Sequence, residues 1–415
     1  MGLTLLRTAL TLVLVMVVAA TETDTESEPE SKIHCPEQFV VCDCVVEEEH
    51  GGGTLTIEID CSEKNLTKVP DWSLFYDLPI TWIDLSKNYI TEITDDVFAN
   101  LKFAPPVQST WIPRLDINNN PLVNIAPNAF RDMKAEGLLL HIERSKLEYF
   151  PSNALRLIQN LTDLFFMYSK VTSIPDGSFE NIKKLRRLDL SGNKLGRLRK
   201  GLFRGMETIL KSLYLNDMNL TEFPSNALKD LEKLWEVKLD RNSIRALPDF
   251  IFKNFKSQSE QFELYLRNNN LSNISSMAFR RTKLRLYKTY LDYNNVTNAD
   301  FLTNPCALTF YTYGFVTLDH NPIVCDCTIY SILKAGFYSL HGSCVSPPKL
   351  ANIPWISKDY DVIARRGCDG PQVKTWDLPC MTNNEIDINK GTLNTAWSDT
   401  TLISMFVALV LVYFS

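Results

Sequence analysis

One pattern recurs through the middle of the chain: L-x-L-x-x-N-x-L, followed by an apolar residue, often a proline, and an apolar-aromatic pair. The clearest copy is Leu185-x-x-Leu188-x-Leu190-x-x-Asn193-x-Leu195-x-x-Leu198, with Phe203 closing the turn; the copy from Leu234 to Leu247 ends in the same way at Phe252. With the asparagine as a marker, the in-phase positions are Lys64, Asn88, Asn120, Ser145, Ser169, Asn193, Met218, Asn242, Asn269, Asn294 and Asn321. The steps between them are 24, 32, 25, 24, 24, 25, 24, 27, 25 and 27 residues. Alternating apolar residues form a short strand with one buried face, and strands of successive copies stack in parallel. The asparagine turns the chain out of the strand and can bond backbone groups that would otherwise be buried and unpaired. At Ser145 and Ser169 a hydroxyl can do part of that work, at Met218 nothing can, and Lys64 lies in the first copy, where departures are expected. A single copy cannot bury its own apolar face. The array therefore folds as one curved solenoid, although 415 residues would suggest about three domains at roughly 150 residues each.

This array resembles the leucine-rich repeat family over Ile57 to Ile323. The resemblance implies an α/β repeat fold, a leucine-rich repeat solenoid or horseshoe with a parallel concave β-sheet of about 11 strands. In the longest step, Pro105, Pro106 and Trp111 mark an inserted loop on the convex side or an edge.

The ten cysteines avoid the array. Cys35, Cys42, Cys44 and Cys61 precede it; Cys306, Cys325, Cys327, Cys344, Cys368 and Cys380 close it, and the 244 residues between Cys61 and Cys306 have none. A stack exposes apolar surface at its two ends, which is where staples are needed. The two clusters look like the cysteine caps of extracellular leucine-rich repeat proteins. That resemblance implies disulfides Cys35 to Cys44, Cys42 to Cys61, Cys325 to Cys344 and Cys327 to Cys368. Cys306 and Cys380 are left over, and parity alone pairs them. The rival reading of the two Cys-Asp-Cys elements is zinc, which a secretory setting disfavours.

That setting is read from the N-terminus, where Arg7, an apolar run and small residues up to Ala20 have the layout of a cleaved secretory signal. At the other end, Leu402 to Phe414 is too short to span a bilayer and has no basic residues after it. A polar spacer with small residues precedes it, the arrangement of a signal exchanged for a glycosylphosphatidylinositol lipid; Asn394, with Ala396 after it, is the candidate attachment residue but leaves a short spacer, and Asn389 and Gly391 leave a longer one. The alternatives are an apolar tail packed on the protein and a short membrane-associated anchor. The expected divisions are 1–20 signal, 21–34 acidic linker, 35–66 N-terminal cap, 67–320 repeats, 321–380 C-terminal cap, 381–400 spacer and 401–415 hydrophobic tail.

Six acceptor sequons, Asn65, Asn160, Asn219, Asn270, Asn273 and Asn295, suit a glycoprotein, and four of them fall just after the marker. Residues four before the marker point onto the concave face. That column starts acidic with Asp60, Asp84 and Asp116, a solvated face or a site for a basic partner or calcium. From Phe165 onward it turns aromatic, with Tyr214, Tyr265 and Tyr290, joined by Met167, Tyr168 and Tyr293 from the adjoining column. Clustered exposed aromatics resemble the anchors of a protein-binding surface; the alternative is that they only cover neighbouring strands.

Catalytic patterns are lacking: five histidines, and no H-E-x-x-H, G-x-S-x-G or phosphate-binding loop. His50-Gly51-Gly52-Gly53 reads as a hairpin tip, and His141, flanked by Glu143 and Arg144, as an ordinary contact. No cofactor or metal is expected. With 43 basic against 49 acidic residues, nucleic acid is a poor partner. The sequence thus points to a non-enzymatic extracellular protein that binds a protein partner, acts with a co-receptor, and is held to the membrane by a lipid anchor. The alternative is a secreted recognition protein or a non-catalytic subunit of an extracellular complex.

Overall fold

The computed structural model describes residues 35–48, 55–106, 112–158, 160–279, 282, 284–302, 315–334 and 340–368. All of them belong to one compact unit, residues 1–379. The signal segment, His50 to Gly53, Trp111, Cys306, Cys380, Asn394 and the hydrophobic tail lie outside the described residues.

Each marker follows one strand of a single sheet. After the edge strand β1 (Asp43–Glu48), which pairs antiparallel with β2 (Leu55–Asp60), the order is β3 (Pro79–Asp84), β4 (Arg114–Asp116), β5 (Leu138–Glu143) and β6 (Leu161–Met167). Then come β7 (Arg187–Asp189), β8 (Ser212–Tyr214), β9 (Glu236–Lys238), β10 (Phe262–Tyr265), β11 (Leu286–Tyr290) and β12 (Phe315–Thr317), all parallel. The eleven strands β2 to β12 match the eleven markers. A twelfth parallel strand, β13 (Leu340–His341), comes from the C-terminal cap. The register keeps repeat positions level: Asp189 pairs with Phe165 on one side and Tyr214 on the other.

Behind the sheet the apolar positions fuse into one core, with Leu188, Leu213, Val237 and Leu264 fully buried. A file of phenylalanines lines the opposite wall. Phe98 stacks on Phe130 at 5.5 Å, and Phe252 contacts Phe223 at 5.0 Å and Phe279 at 5.1 Å. Rings of neighbouring repeats touch in runs, Phe150 with Phe179 and Phe203, and Phe223 with Phe252, Phe279 and Phe301, so burial is shared between adjacent repeats.

The asparagines work as a ladder. Asn242 Nδ2 donates to the Leu215 and Leu239 carbonyls, and its Oδ1 accepts from Leu220 in the preceding repeat. It also accepts from the Met218 amide, so the repeat that lacks an asparagine is served by its neighbour. At the two serines the hydroxyls meet each other at 2.7 Å, and Asn193 beyond them has a buried Oδ1 with no partner.

Immediately before each marker the backbone is left-handed in all eleven repeats, from Glu63 at φ 56° to His320 at φ 59°, including Tyr168, Gly192 and Tyr293. From Glu63 to Tyr293, each of these residues donates its amide to the next repeat; Tyr168 bonds the Ser191 carbonyl and Gly192 the Asn216 carbonyl, both at 2.8 Å. Continuing the ladder through the turn explains why bulky side chains tolerate a conformation that costs them about 1–2 kcal/mol.

In the longest step Lys102–Phe103 pairs with the start of β3, and Phe103 and Ala104 are buried. The insertion therefore begins as an addition to the sheet at its entry edge.

Disulfides join Cys35 to Cys44, Cys42 to Cys61 and Cys325 to Cys344, the pairings implied by the cap resemblance. Cys327 is also disulfide-bonded, which with the Cys325 bridge replaces the zinc reading; the Cys368 side chain lies outside the described residues. The C-terminal cap carries helices α1 (Cys327–Lys334) and α2 (Lys358–Cys368). Among the described residues, no helix is long and apolar enough to cross a membrane.

Candidate recognition face

Side chains two, four and six places before each marker stand on the exposed side of the sheet, and the interstrand spacing of about 4.8 Å forces them into contact along the stack. Two zones result.

The first surrounds Asp116. This carboxylate, expected on a solvated acidic face, is 1% exposed. Its flanking residues explain the difference: Trp82 Nε1 donates to it at 2.9 Å, Arg114 pairs with it, and His141 Nδ1 lies 3.0 Å away. Burial pushes the carboxyl up, but the bonds from His141, Arg114 and Trp82 outweigh it and hold the group below the usual aspartate range. His141 sits edge-on to Phe165 at 5.7 Å, and Arg187 caps the far side of that ring at 5.9 Å. Among the described residues Asp84 and Asp189 have no cation within ion-pair distance; burial raises both carboxyls despite hydrogen bonds from Ser86 and Ser191 and, at Asp189, the more distant His141 and Lys238.

The second zone runs from β8 to β12 and alternates rings with cations. Lys238 lies 4.4 Å from the centre of Tyr214 and 5.1 Å from Tyr265. Tyr265 stacks on Tyr290 at 4.4 Å, Arg267 lies 3.9 Å from Tyr290, and Phe315 meets Tyr290 edge-on at 5.2 Å. Acids behind them close the circuit: Glu236 with Lys238 at 3.1 Å, Glu263 with Lys288 at 2.8 Å and Asp292 with Arg267 at 3.1 Å. The Tyr214 and Tyr265 hydroxyls donate to Glu236 and Glu263 at 2.7 and 2.6 Å, and burial together with these acids pushes both phenols up. Tyr214, Tyr265 and Tyr290 are half-buried in this network, and Phe165 and Met167 are half-buried on β6, whereas Tyr168 and Tyr293 are exposed. The rings thus both cover the neighbouring strands and present a fixed face.

Along the rim, Tyr168 crosses the whole next repeat to donate to Asp217 at 2.8 Å. It can do so because Gly192 lies beneath; a Cβ there would overlap the ring. Arg241 grips the same Asp217, and burial, which would raise that carboxyl, is overcome by the bonds from Arg241 and Tyr168. Tyr293 lies flat on His320 at 4.1 Å. Repeat spacing could have revealed both contacts, since Tyr168 and Gly192, like Tyr293 and His320, occupy one column.

Among the sequons, Asn65, Asn219, Asn270, Asn273 and Asn295 are exposed; Asn160 is half-buried, its amide donating to the Ala135 carbonyl at 2.7 Å. Asn273 stands on a two-residue strand behind the sheet, Asn273–Ile274, paired with Ala246–Leu247. Among the described residues, no three His, Cys, Asp or Glu side chains are grouped to hold a metal.

The profile described as Leucine rich repeat matches residues 159–209. Leucine-rich repeats and immunoglobulin-like domains protein 1 of Homo sapiens is 26% identical over 202 residues, 48% of this chain and only 17% of that protein. Keratocan of Mus musculus is 26% identical over 268 residues, 58% of this chain and 69% of its own length. Fibromodulin of Oryctolagus cuniculus is 30% identical over 135 residues, 32% of this chain and 87% of the compared sequence. That last coverage, with the in-phase strands and the stapled ends, establishes that the chain belongs to the extracellular leucine-rich repeat proteins with cysteine-rich caps.

Proposed function

We propose that the protein is a non-catalytic recognition module of the cell exterior that binds a protein partner on the sheet face between β8 and β12. The observation that carries this reading is the ladder of Tyr214, Lys238, Tyr265, Arg267 and Tyr290, in which each cation lies against a ring. Such a surface is ordered before a partner arrives, so binding loses little side-chain entropy, and aromatic and arginine side chains are the ones that most often carry interface affinity. The early strands add the carboxylates of Asp60 and Asp84, both half-buried on this face, which favour a partner with a basic edge.

The hydrophobic C-terminal run and the polar, small-residue spacer before it support a second part of this reading, attachment to the outer surface through a glycosylphosphatidylinositol lipid, with Asn394 the candidate attachment residue and a co-receptor as signalling partner. Treatment of intact expressing cells with a phosphatidylinositol-specific phospholipase tests this: release into the medium is expected, and retention on the cells overturns the anchor. For the face itself, the Tyr214→Ala, Tyr265→Ala, Tyr290→Ala triple variant should bind its partner at least about tenfold more weakly, the loss of one hot spot being about 2 kcal/mol.

A further inference from the structure

We propose that the groove on the N-terminal cap is the seat of a glycan carried by Asn65. The groove encloses about 480 Å³ between Phe39, Val41, Leu66, Pro70 and Leu74, and Asn65 is one of its walls. Its apolar sides face solvent: Val41 is 46% and Leu74 43% exposed, and Val40 beside them is 85% exposed. The floor is rigid, since Phe39 packs edge-on against Phe75 at 4.6 Å and tilts against Trp72 at 5.9 Å. A cap exists to cover apolar surface, so this exposed strip beside the staples calls for a cover of its own.

Asn65-Leu66-Thr67 is an acceptor sequon. Asn65 is exposed in a left-handed turn at φ 58°, and its amide has no hydrogen-bond partner among the described residues. The turn is fixed from the next repeat, where Asn88 Oδ1 accepts from the Leu66 amide at 2.9 Å. The first sugar of an asparagine-linked glycan is N-acetylglucosamine, whose C–H ring faces and acetamido methyl suit the Phe39, Val41 and Leu74 walls. Its hydroxyls suit the rim, where Thr67, Lys68, Asp71 and Ser73 lie. A ligand tethered to its own pocket wall is present at high effective concentration, so weak contacts are enough to seat it.

This inference rests on the secretory reading above, and the test separates the two. The full chain is secreted from mammalian cells and site occupancy is measured by glycopeptide mass spectrometry. Asn65→Gln and Asn219→Gln variants, which remove acceptors at the same repeat position, are compared with it. Asn65 should be occupied. Asn65→Gln should lower Tm by about 2–4 °C, the shift expected of roughly 1 kcal/mol in a domain of 150–250 residues and an upper figure here, and should raise binding of an apolar-surface dye; Asn219→Gln should do neither. Should Asn65→Gln not be secreted, folded wild-type protein is trimmed to one N-acetylglucosamine per site, which should keep the original Tm and low dye binding, and then stripped fully, which should lose both. An empty Asn65 beside occupied sequons overturns the seat alone, as do equal effects of the two variants, or a glycosylated dimer in light scattering whose interface covers the groove. Absence of glycan at every sequon overturns the seat and the secretory reading together.

Discussion

Two aspartates of one column respond to pH in opposite directions because their neighbours differ. Asp116, wrapped by His141, Arg114 and Trp82, has its carboxyl below the ordinary value, so its stabilising effect is full above the unfolded value and is lost as pH falls through the folded one. Asp116→Asn should therefore lower urea stability at pH 7, with the deficit shrinking on acidification. Asp189 is raised by burial, so its neutral form is favoured and that stabilisation disappears as pH rises through the folded value. Asp189→Asn should raise stability at pH 7, and the gain should vanish below the ordinary aspartate value of about 3.9; a loss at pH 7 would show that the charge is compensated. Gly192→Ala should cost about 1–3 kcal/mol, because a Cβ enters both a left-handed backbone at φ 74° and the ring of Tyr168. Chemical denaturation checks it, and wild-type stability would mean that the ring moves aside freely. At this scale the sequence was least legible. The periodic alternation places Asp116 on the open face, but its burial comes from Trp82, Arg114 and His141, 34, 2 and 25 residues away, whose reach depends on rotamers.

Strands and turns were far more legible. The eleven marker positions predict eleven strands and their seven asparagines a backbone-bonding role, which Asn242 carries through bonds to Leu215, Leu220 and Leu239. Its service to the Met218 repeat was not legible, since that substitution removes a side chain and the rescue comes from the next copy. Asn242→Ala strands four buried backbone groups and should cost about 3 kcal/mol or more. Asn321→Ala, at the end of the ladder, provides the comparison; equal urea midpoints for Asn242→Ala and wild type would refute the ladder's contribution. The left-handed position before each marker escaped sequence reading because no single residue type occupies it: tyrosine, arginine, aspartate and glycine all do. What is shared there is a hydrogen bond to the following repeat.

For the whole molecule, length reports the number of repeats, and the cysteines mark where the continuous core would otherwise end. The file of phenylalanines and the single sheet make neighbouring repeats interdependent, so the ring-and-cation ladder of β8 to β12 is held as a preformed surface. The central claim is that this surface carries recognition. It is tested most directly by capturing surface proteins with residues 35–380, purifying the partner, and measuring its Kd for wild type and for the Tyr214, Tyr265 and Tyr290 alanine triple variant. Tyr149→Ala, an exposed tyrosine outside the ladder, is the control, and Tm is measured for each protein. The account predicts that the triple variant, still folded at the assay temperature, binds at least about tenfold more weakly while the control matches wild type. A folded triple variant with wild-type Kd would contradict it and move the recognition site off this face.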